Sequence, residues 1–269
     1  MVKMRLSHFG FIKDLDDIAK AGYDCAELHY HEIMAMDEGE YKKALKKIRD
    51  ANITCEVFNN PVPLAQRIID DDFDLCYYHG FLSKGADRAA EMGARYCNFG
   101  NGKTRCIAQG EDAVRLNAKH RAFMEMLCDI NAERNITVLI EPLAESLTNF
   151  LHSIRQVIDY QKEIGKKNIR PFIDLRWHIA QGHSFEDIVT YADHIAHVHI
   201  DNPLLPFPER RVPAIGDGYD YGQLFDKLKE ICYKGIISIE ANTFNDFYQD
   251  ICGGLKLFRH HGIVPYRTA

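Results

Sequence analysis

The chain has little of what marks a protein that binds nucleic acid or a membrane. Its 269 residues include 33 basic and 39 acidic side chains, a net charge of −6, so no excess of positive charge is present to attract nucleic-acid phosphates or anionic lipids. No apolar run approaches the roughly 18 residues that a membrane span needs, and the first residues lack the apolar core of a secretory signal. We therefore expect a cytoplasmic protein whose partner is a small molecule.

Paired cysteine motifs and domain linkers are also missing. None of the eight cysteines belongs to a C-x-x-C pair, and several lie in apolar runs, which is typical of reduced, buried thiols in a chain of this length. No segment rich in proline, glycine or serine interrupts the sequence. We therefore expect one domain over residues 1–269, and the 46% of hydrophobic residues are enough to form its core.

Short apolar runs alternate with amphipathic segments along the whole chain. Residues 4–9 form the first such run, and residues 12–21 follow it with apolar side chains at helical spacing. Strand and helix patterns that alternate in this way predict parallel strands joined by crossover helices. Eight such units in a chain of this length predict an α/β protein with the (β/α)8 TIM-barrel fold. The acidic stretch 64–78 is expected to cap the barrel mouth as a loop.

The last four predicted strands each end on a residue that can bind a metal ion. These residues are Glu141, Asp174, His199 and Glu240. Because the active site of such a barrel lies at the carboxyl ends of its strands, we expect the four side chains to converge. A single acidic residue at a strand end is often a helix N-cap or a surface charge, but four consecutive strands that end in this way favour a common site.

The donor set of this site indicates which metal it would bind. Three carboxylates and one imidazole suit Mn²⁺, Mg²⁺ or Co²⁺, whereas a closed zinc site usually has more nitrogen and sulfur ligands. His197 and His199 lie two residues apart in one strand and therefore point the same way. We expect His199, nearer the carboxyl end, to be the ligand, and His197 to be hydrogen-bonded more deeply.

Several of these segments resemble one known group of enzymes. Residues 140–143 (Ile-Glu-Pro-Leu), the strand that ends at Asp174, the triplet 197–199 (His-Val-His) and the triplet 238–240 (Ser-Ile-Glu) are similar to motifs of the sugar phosphate isomerase/epimerase superfamily of xylose isomerase-like TIM barrels. The resemblance implies one divalent metal bound by Glu141, Asp174, His199 and Glu240. It also implies a sugar or sugar derivative as substrate.

The implied chemistry is proton transfer at the carbon next to a carbonyl group. The metal would act as a Lewis acid that polarises the ketose carbonyl and stabilises the enediolate. By resemblance to ketose 3-epimerases, Glu141 and Glu240 would remove and return the proton, in addition to binding the metal. Arg210 matches an arginine of the family that orients the substrate, although an exposed loop charge is an equal alternative.

The sequence departs from the ketose epimerases at two positions. They usually have a histidine three residues after the aspartate ligand, where this chain has Trp177 followed by His178. They also have a second glutamate six residues after the first ligand, where this chain has Leu147, with Glu145 nearby. These changes leave the metal ligands in place but indicate different substrate contacts.

Other residues near the strand ends are weaker candidates. His8, Glu27 with His29, and Asn59 end the first three predicted strands and are expected to line the barrel mouth, with His8 and Glu27 as substrate-binding residues. Trp177 and His178 are expected to contact the substrate, with Trp177 stacked on a sugar face or packed in the core.

Two segments outside the strands are also candidates. The apolar run 204–208 would form a lid or a contact in a homo-oligomer. Lys103 and Arg105 would supply a phosphate site if the substrate is phosphorylated.

Three other functions remain open. A lyase or dehydratase acting on a keto-sugar or keto-inositol would use the same metal and the same enediolate. An apurinic endonuclease of the same superfamily would need further histidine ligands and a basic face, which the net charge of −6 disfavours. A non-catalytic binding barrel would be expected to have lost ligands, whereas all four are present.

Overall fold

The structure, a computed structural model, describes residues 1–267, so the last two residues of the expected domain lie outside the described residues. Eleven strands are present: β1 (Val2–Lys3), β2 (Arg5–Gly10), β3 (Cys25–His29), β4 (Thr54–Asn59), β5 (Tyr96–Phe99), β6 (Thr137–Ile140), β7 (Ile169–Pro171), β8 (Ile173–Asp174), β9 (His197–Ile200), β10 (Ile236–Ile239) and β11 (Ile263–Val264). The helices are α1 (Leu15–Ala21), α2 (Tyr30–Ala35), α3 (Glu38–Asp50), α4 (Leu75–Met92), α5 (Ala113–Ala132), α6 (Ile154–Ile164), α7 (Leu175–Ala180), α8 (Glu186–Thr190), α9 (Gly222–Glu230) and α10 (Phe247–His260).

The strands form a nearly closed barrel. Nine of them pair in the order β7-β6-β5-β4-β3-β2-β10-β9-β8, and every pairing is parallel. The two edge strands, β7 and β8, are consecutive in the chain and are separated only by Phe172. The sheet therefore closes on itself through one interrupted strand, which gives eight barrel strands and confirms the predicted TIM barrel.

Local sequence signals account for the helices that surround the barrel. In α3, Asp37 and Glu40 form a reciprocal capping box at the first turn. The apolar side chains of this helix recur at helical spacing and are buried against the barrel: Tyr41, Ala44, Leu45 and Ile48. Helix α4 ends at Gly93, which has a φ of 103° and can adopt this left-handed conformation because it lacks a side chain.

The interior of the barrel is built in layers with a period of two residues along each strand. One cluster of buried apolar side chains comes from six strand segments: Cys25, Val57, Tyr96, Leu139, Phe172 and Ile236. Two residues further along the same six strands the side chains are polar and also buried: Glu27, Asn59, Asn98, Glu141, Asp174 and Ser238. Because alternate residues of a strand point to the same face, the polar layer lies directly above the apolar one, toward the carboxyl ends.

The connections differ from the sequence prediction in three places. The acidic stretch 64–78 is not all loop, because Asp74 caps α4 by accepting a hydrogen bond from the Tyr77 backbone at 2.9 Å, so that helix begins at Leu75. Two one-and-a-half-turn helices that the pattern did not predict, α2 and α7, follow directly after β3 and β8. Among the described residues, none of the helices is long and apolar enough to cross a bilayer.

Candidate metal centre

Four residues that can bind a metal converge at the carboxyl end of the barrel. Donor atoms of Glu141, Asp174 and His199 lie within 4.8 Å of one another. The fourth residue, Glu240, brings Oε2 to 3.2 Å from His199 Nδ1. Around the barrel, the strands that carry Asp174 and His199 lie between the strand that leads to Glu141 and the strand that leads to Glu240. The structure therefore brings together the four predicted ligands.

The local backbone explains how two of these carboxylates are held. Asp174 ends β8 and also caps α7, since its side chain accepts a hydrogen bond from the Trp177 backbone at 3.2 Å. The N-cap and ligand interpretations of this residue are thus compatible. Glu141 packs over Gly100, where an added Cβ would lie 2.3 Å from its Oε2. A residue with a side chain at position 100 would displace this carboxylate.

His199 is oriented by a buried hydrogen-bond network centred on Glu27. His199 Nε2 lies 2.8 Å from Glu27 Oε1, and His197 Nε2 lies 3.0 Å from Glu27 Oε2. Asn59 also donates to Glu27, and Asn98 donates to Asn59. An ionised carboxylate only accepts hydrogen bonds, so both Nε2 atoms carry protons and Nδ1 of neutral His199 is left with a free lone pair.

The charged groups of the site shift one another's pKa. Burial, and then the charges of Asp174 and Glu240, raise the pKa of Glu141 well above its usual value. Burial also acts to raise the pKa of Glu240, but the positive charges of Arg210 and His199 outweigh it and lower that pKa to about 2. For His199, burial favours the neutral ring, yet Glu27 and Glu240 raise its pKa well above the ordinary value.

Arg210 is part of this cluster rather than an exposed loop charge. It is 6% exposed, its Nη2 donates to Asp174 Oδ2 at 2.8 Å, and its Nη1 lies 3.1 Å from Glu240 Oε2. The same Nη1 is 3.5 Å from Asp201, which Arg176 also binds with an Nε to Oδ2 distance of 2.9 Å. Two arginines therefore offset the buried acidic charge on one side of the site.

The residues present fit a divalent cation. Asp174, Glu141 and Glu240 offer oxygen ligands whose mutual repulsion a cation would relieve, and His199 Nδ1 is a buried nitrogen that faces Glu240 Oε2 at 3.2 Å. Glu27 orients this ring through its other nitrogen, as carboxylates commonly do for metal-binding histidines. A cation at this position would take the place of a proton on His199 Nδ1.

A cavity of about 480 Å³ opens beside this cluster. Its volume lies within the usual range for small-molecule sites, about 300–1,000 Å³. Glu141, Glu240 and Arg210 contribute to its lining. Five lining residues are asparagines: Asn59, Asn60, Asn98, Asn101 and Asn242. The larger apolar lining residues are Phe9, Leu64, Leu143, Leu147, Trp177 and Phe207.

Three of the predicted substrate-binding residues do not reach this cavity. His8 is completely buried and packs against Tyr23, with the ring centroids 5.5 Å apart. Glu27 is completely buried within the histidine network. His178 follows Trp177 in α7, so its side chain points about 100° away from that of Trp177 around the helix axis. Its Nε2 lies 3.1 Å from the Ser184 carbonyl oxygen. The structure therefore gives these three side chains no place in the cavity lining.

The remaining candidates are divided between the cavity and its surroundings. Asn59 and Trp177 line it, and so do Phe207 and Pro208 of the predicted lid. Lys103 is exposed at its edge, whereas Arg105 is buried and donates to the Glu141 carbonyl. The two basic residues therefore do not form a joint phosphate site.

Some residues that hold the site together through hydrogen bonds were not predicted from the sequence. Asn98 and the pair formed by Arg176 and Asp201 were not predicted to take part. The signal for Asn98 was available, since it lies two residues after Tyr96 in the inner apolar layer and therefore shares its face. The ion pair had no comparable signal, because it joins residues from different strand-helix connections.

Comparisons with known proteins agree with this geometry. A ketose 3-epimerase of Arthrobacter globiformis is 24% identical over 182 residues, which cover 66% of this chain and 60% of that protein. A solved structure of D-psicose 3-epimerase in the presence of D-fructose is similar with a TM-score of 0.78 and 18% identity, covering 97% of this chain and 99% of that one.

A second solved structure is similar to the same degree. It is a 3-keto-D-glucoside 4-epimerase from E. coli, with a TM-score of 0.79 and 14% identity, covering 96% of this chain and 99% of that one. The likeness to these two structures concerns the fold. The sequence model of one family, described as a xylose isomerase-like TIM barrel, matches residues 15–256. This protein therefore belongs to the xylose isomerase-like TIM barrel family.

Proposed function

We propose that this protein is a divalent-metal-dependent sugar or polyol epimerase or isomerase. The observation that carries the proposal is the convergence of Glu141, Asp174, His199 and Glu240 beside a cavity of sugar-binding size, which Glu141 and Glu240 line. The similar proteins described above are named as epimerases of keto sugars, which supports the same reaction type here.

The residues of the cavity have distinct roles in this proposal. Glu141, Asp174, His199 and Glu240 hold the cation, with Mn²⁺, Mg²⁺ or Co²⁺ preferred over Zn²⁺ by their donor set. When bound, the cation supplies Lewis acidity that polarises a carbonyl group of the substrate.

Proton transfer falls to the two glutamates. Glu141 and Glu240 both line the cavity and flank the other two ligands, so they reach a bound sugar from different sides. One removes the proton next to the carbonyl and the other returns it. Return to the opposite face gives an epimer, and return to the neighbouring carbon gives an isomer.

Arg210 and the asparagines position the substrate. Arg210 lines the cavity, donates a hydrogen bond to Asp174 and forms an ion pair with Glu240. Amide side chains both donate and accept hydrogen bonds and therefore match sugar hydroxyls. Arg210→Met is expected to raise KM and lower kcat together.

Deuterium incorporation tests the reaction type. The Mn²⁺-loaded protein is incubated with a panel of ketoses in D₂O, and the products are followed by NMR and mass spectrometry. We expect deuterium next to the carbonyl without loss of water from the sugar. Glu141→Gln and Glu240→Gln should each abolish exchange, whereas Glu145→Gln, at an exposed position outside the cavity lining, should leave it intact.

The same experiment separates the alternatives. Loss of water or of another leaving group together with exchange would assign a lyase or dehydratase instead. Absence of exchange with every ketose, together with absence of metal from protein purified without chelator, would contradict the proposal and favour a non-catalytic barrel. The endonuclease alternative loses support because His8, His79 and Glu27, which could supply its further ligands, do not line the cavity.

A further inference from the structure

One side of the cavity is a continuous apolar surface, formed by Leu143, Leu147, Trp177 and Phe207 and here named the apolar wall. The ring centroids of Trp177 and Phe207 are 5.2 Å apart in an edge-to-face arrangement. Leu143 and Trp177 belong to one buried cluster, against which Leu147 packs. The wall is therefore a packed surface rather than a set of scattered apolar residues.

The wall lies immediately beside the charged cluster. The Arg210 guanidinium carbon is 5.6 Å from the centroid of the Trp177 ring. A Cβ at Gly102 would lie 3.1 Å from Leu143 Cδ1, and a Cβ at Gly100 would lie 2.3 Å from Glu141 Oε2. Because two residues of chain span at most about 7 Å, Glu141 Oε2 and Leu143 Cδ1 are at most roughly 12 Å apart. A sugar ring that carries an attached group can span this distance.

The side chains of the wall suit an apolar group and not further hydroxyls. Leu143, Leu147 and Phe207 offer no hydrogen-bond donors or acceptors, and a hydroxyl buried against them would lose its bonds to water. Elsewhere in the cavity, Asn60 and Asn98 have Oδ1 atoms without a hydrogen-bond partner among the described residues, which can accept from sugar hydroxyls. The cavity therefore has a polar region that suits a sugar ring and an apolar region that suits an apolar group attached to the sugar.

The apolar wall offers no cationic side chain that could bind an anionic group. Its four residues are uncharged, and Arg210 beside it is already paired with Asp174 and Glu240. The other cationic side chain among the described lining residues, Lys103, is exposed at the edge. A neutral substituent is therefore favoured.

The size of the cavity leaves room for such a substituent. Its volume of about 480 Å³ is the volume that about 16 water molecules occupy in the liquid, at roughly 30 Å³ each. The atoms of a free hexose are covalently linked and so occupy less space than the same number of waters. A single sugar ring therefore does not fill the cavity.

We propose that the substrate is a keto sugar linked to an uncharged apolar aglycone, which binds against the apolar wall while the sugar ring binds between Glu141, Glu240 and the asparagines. This inference rests on the proposed function and narrows its substrate class from free ketoses to apolar glycosides.

Trp177 makes this proposal directly testable, because it is the one tryptophan of the chain and lies in the wall. Phenyl and methyl β-glycosides of the same keto sugar, 3-keto-D-glucosides in one series and 3-keto-D-galactosides in another, are titrated into the Mn²⁺-loaded protein. Tryptophan emission is excited where the phenyl group does not absorb, and calorimetry gives each Kd. We expect the phenyl glycoside to bind about tenfold more tightly than the methyl glycoside in at least one series and to shift the Trp177 emission.

Two leucine variants locate the aglycone. Leu147→Glu introduces a charge on the wall and is expected to reduce the ratio of the two dissociation constants to about one. Leu204→Glu makes the same change at an exposed leucine outside the cavity lining and is expected to retain the tenfold ratio. The ratio is measured within each folded variant, so a general loss of stability does not affect it.

The results test the aglycone proposal independently of the proposed epimerase function. Equal affinity for the two glycosides, absence of binding by either, or a ratio that Leu147→Glu leaves unchanged would overturn it. Deuterium exchange into a free ketose would in that case still support the epimerase. Absence of exchange together with tight aryl glycoside binding would instead contradict the epimerase and retain the apolar subsite.

Discussion

At the scale of single residues, Glu27 determines how His199 is presented to a metal. It accepts hydrogen bonds from His197 and His199 at once, with one carboxylate oxygen for each ring. A glutamine at this position has only one accepting oxygen, so one histidine loses its partner. We expect Glu27→Gln to weaken Mn²⁺ binding by about 10- to 100-fold, measured by calorimetric titration of metal-free protein.

A second buried glutamate provides the control for this variant. Glu56 is 4% exposed and accepts from Arg5 Nε at 2.9 Å, near the amino ends of the strands and away from the cavity. Glu56→Gln removes the same charge and is expected to lower stability but to leave the Mn²⁺ affinity unchanged. Equal affinities in the parent and Glu27→Gln, or equal losses in both variants, would contradict the assigned role of Glu27.

Gly100 keeps open the space that the Glu141 carboxylate occupies. A methyl group there would lie 2.3 Å from Glu141 Oε2, which is the end of a flexible side chain and moves at little cost in stability. Displacement of a reacting group by about 1 Å costs roughly 100-fold in rate. We therefore expect Gly100→Ala to slow deuterium exchange by about that factor with little change in thermal midpoint. Gly253→Ala in α10, where the added methyl meets no atom within 4 Å, should leave exchange unchanged.

At the scale of elements, helix α4 contains two glycines whose replacement should have opposite effects. Alanine is favoured over glycine in a helix by about 1 kcal/mol. At Gly80 an added Cβ meets nothing within 4 Å, so Gly80→Ala should stabilise the protein by up to about this amount. At Gly85 it would lie 2.2 Å from Tyr30 Oη, and the buried Tyr30 hydroxyl donates to the Leu82 carbonyl.

For Gly85→Ala the steric cost exceeds the gain in helix propensity. Overpacking costs about 1–3 kcal/mol, and loss of the buried Tyr30 hydrogen bond adds to it. We expect net destabilisation of about 1–3 kcal/mol in the free energy of unfolding, measured by urea denaturation. A stabilised Gly85→Ala variant would show that α4 is free to move away from Tyr30.

The element scale also shows what the sequence could and could not reveal about the site. The strands that end at Glu141 and Asp174 were predictable because each apolar run ends abruptly on a carboxylate. The depth of Glu27 was not predictable, because a polar residue near a strand end fits either the rim or the layer below it. Strand register decides between them, and it places Glu27 two residues above Cys25 in the buried layer, while His29 reaches the cavity.

At the scale of the whole molecule, buried neutral histidines make stability depend on pH. His8 is completely buried, and burial lowers its pKa from 6.5 to about 4. Between these two values the unfolded chain binds a proton that native His8 does not, so stability is complete above pH 6.5 and falls as the pH falls. The expected loss is about 1.4 kcal/mol per pH unit from this residue.

A phenylalanine at position 8 tests this pH effect. His8 lies among Tyr23, Phe244 and Phe247, so His8→Phe retains an aromatic ring there and removes the titration. The decrease in unfolding free energy from about pH 6 to about pH 5, measured by urea denaturation, should be smaller by about 1.4 kcal/mol than in the parent. His260→Phe, at an exposed position at the end of α10, should not alter the slope. The same slope in His8→Phe and the parent would contradict the expectation.

The overall architecture was the most predictable level, because eight repeats of an apolar run and an amphipathic segment leave few other closed arrangements. The helices that follow β3 and β8 directly were not predictable, since they are too short to show a helical period. The partition of lining residues into asparagines and an apolar wall also requires three-dimensional structure, since its members come from separate connections. A single domain, cytoplasmic location and self-association remain predictions.

The interruption at Phe172 has a consequence for motion within the barrel. This seam joins β6 and β7 on one side to β8 and β9 on the other, and two of the proposed ligands stand across it, with Glu141 after β6 and His199 on β9. The Phe172 amide is held by a long hydrogen bond to the Ile140 carbonyl, at 3.4 Å, and weakly bonded segments open more readily. A cation held by both residues would restrain the seam. Its binding is expected to slow amide hydrogen exchange at residues 169, 170 and 172–174 more than in the continuous strand β3.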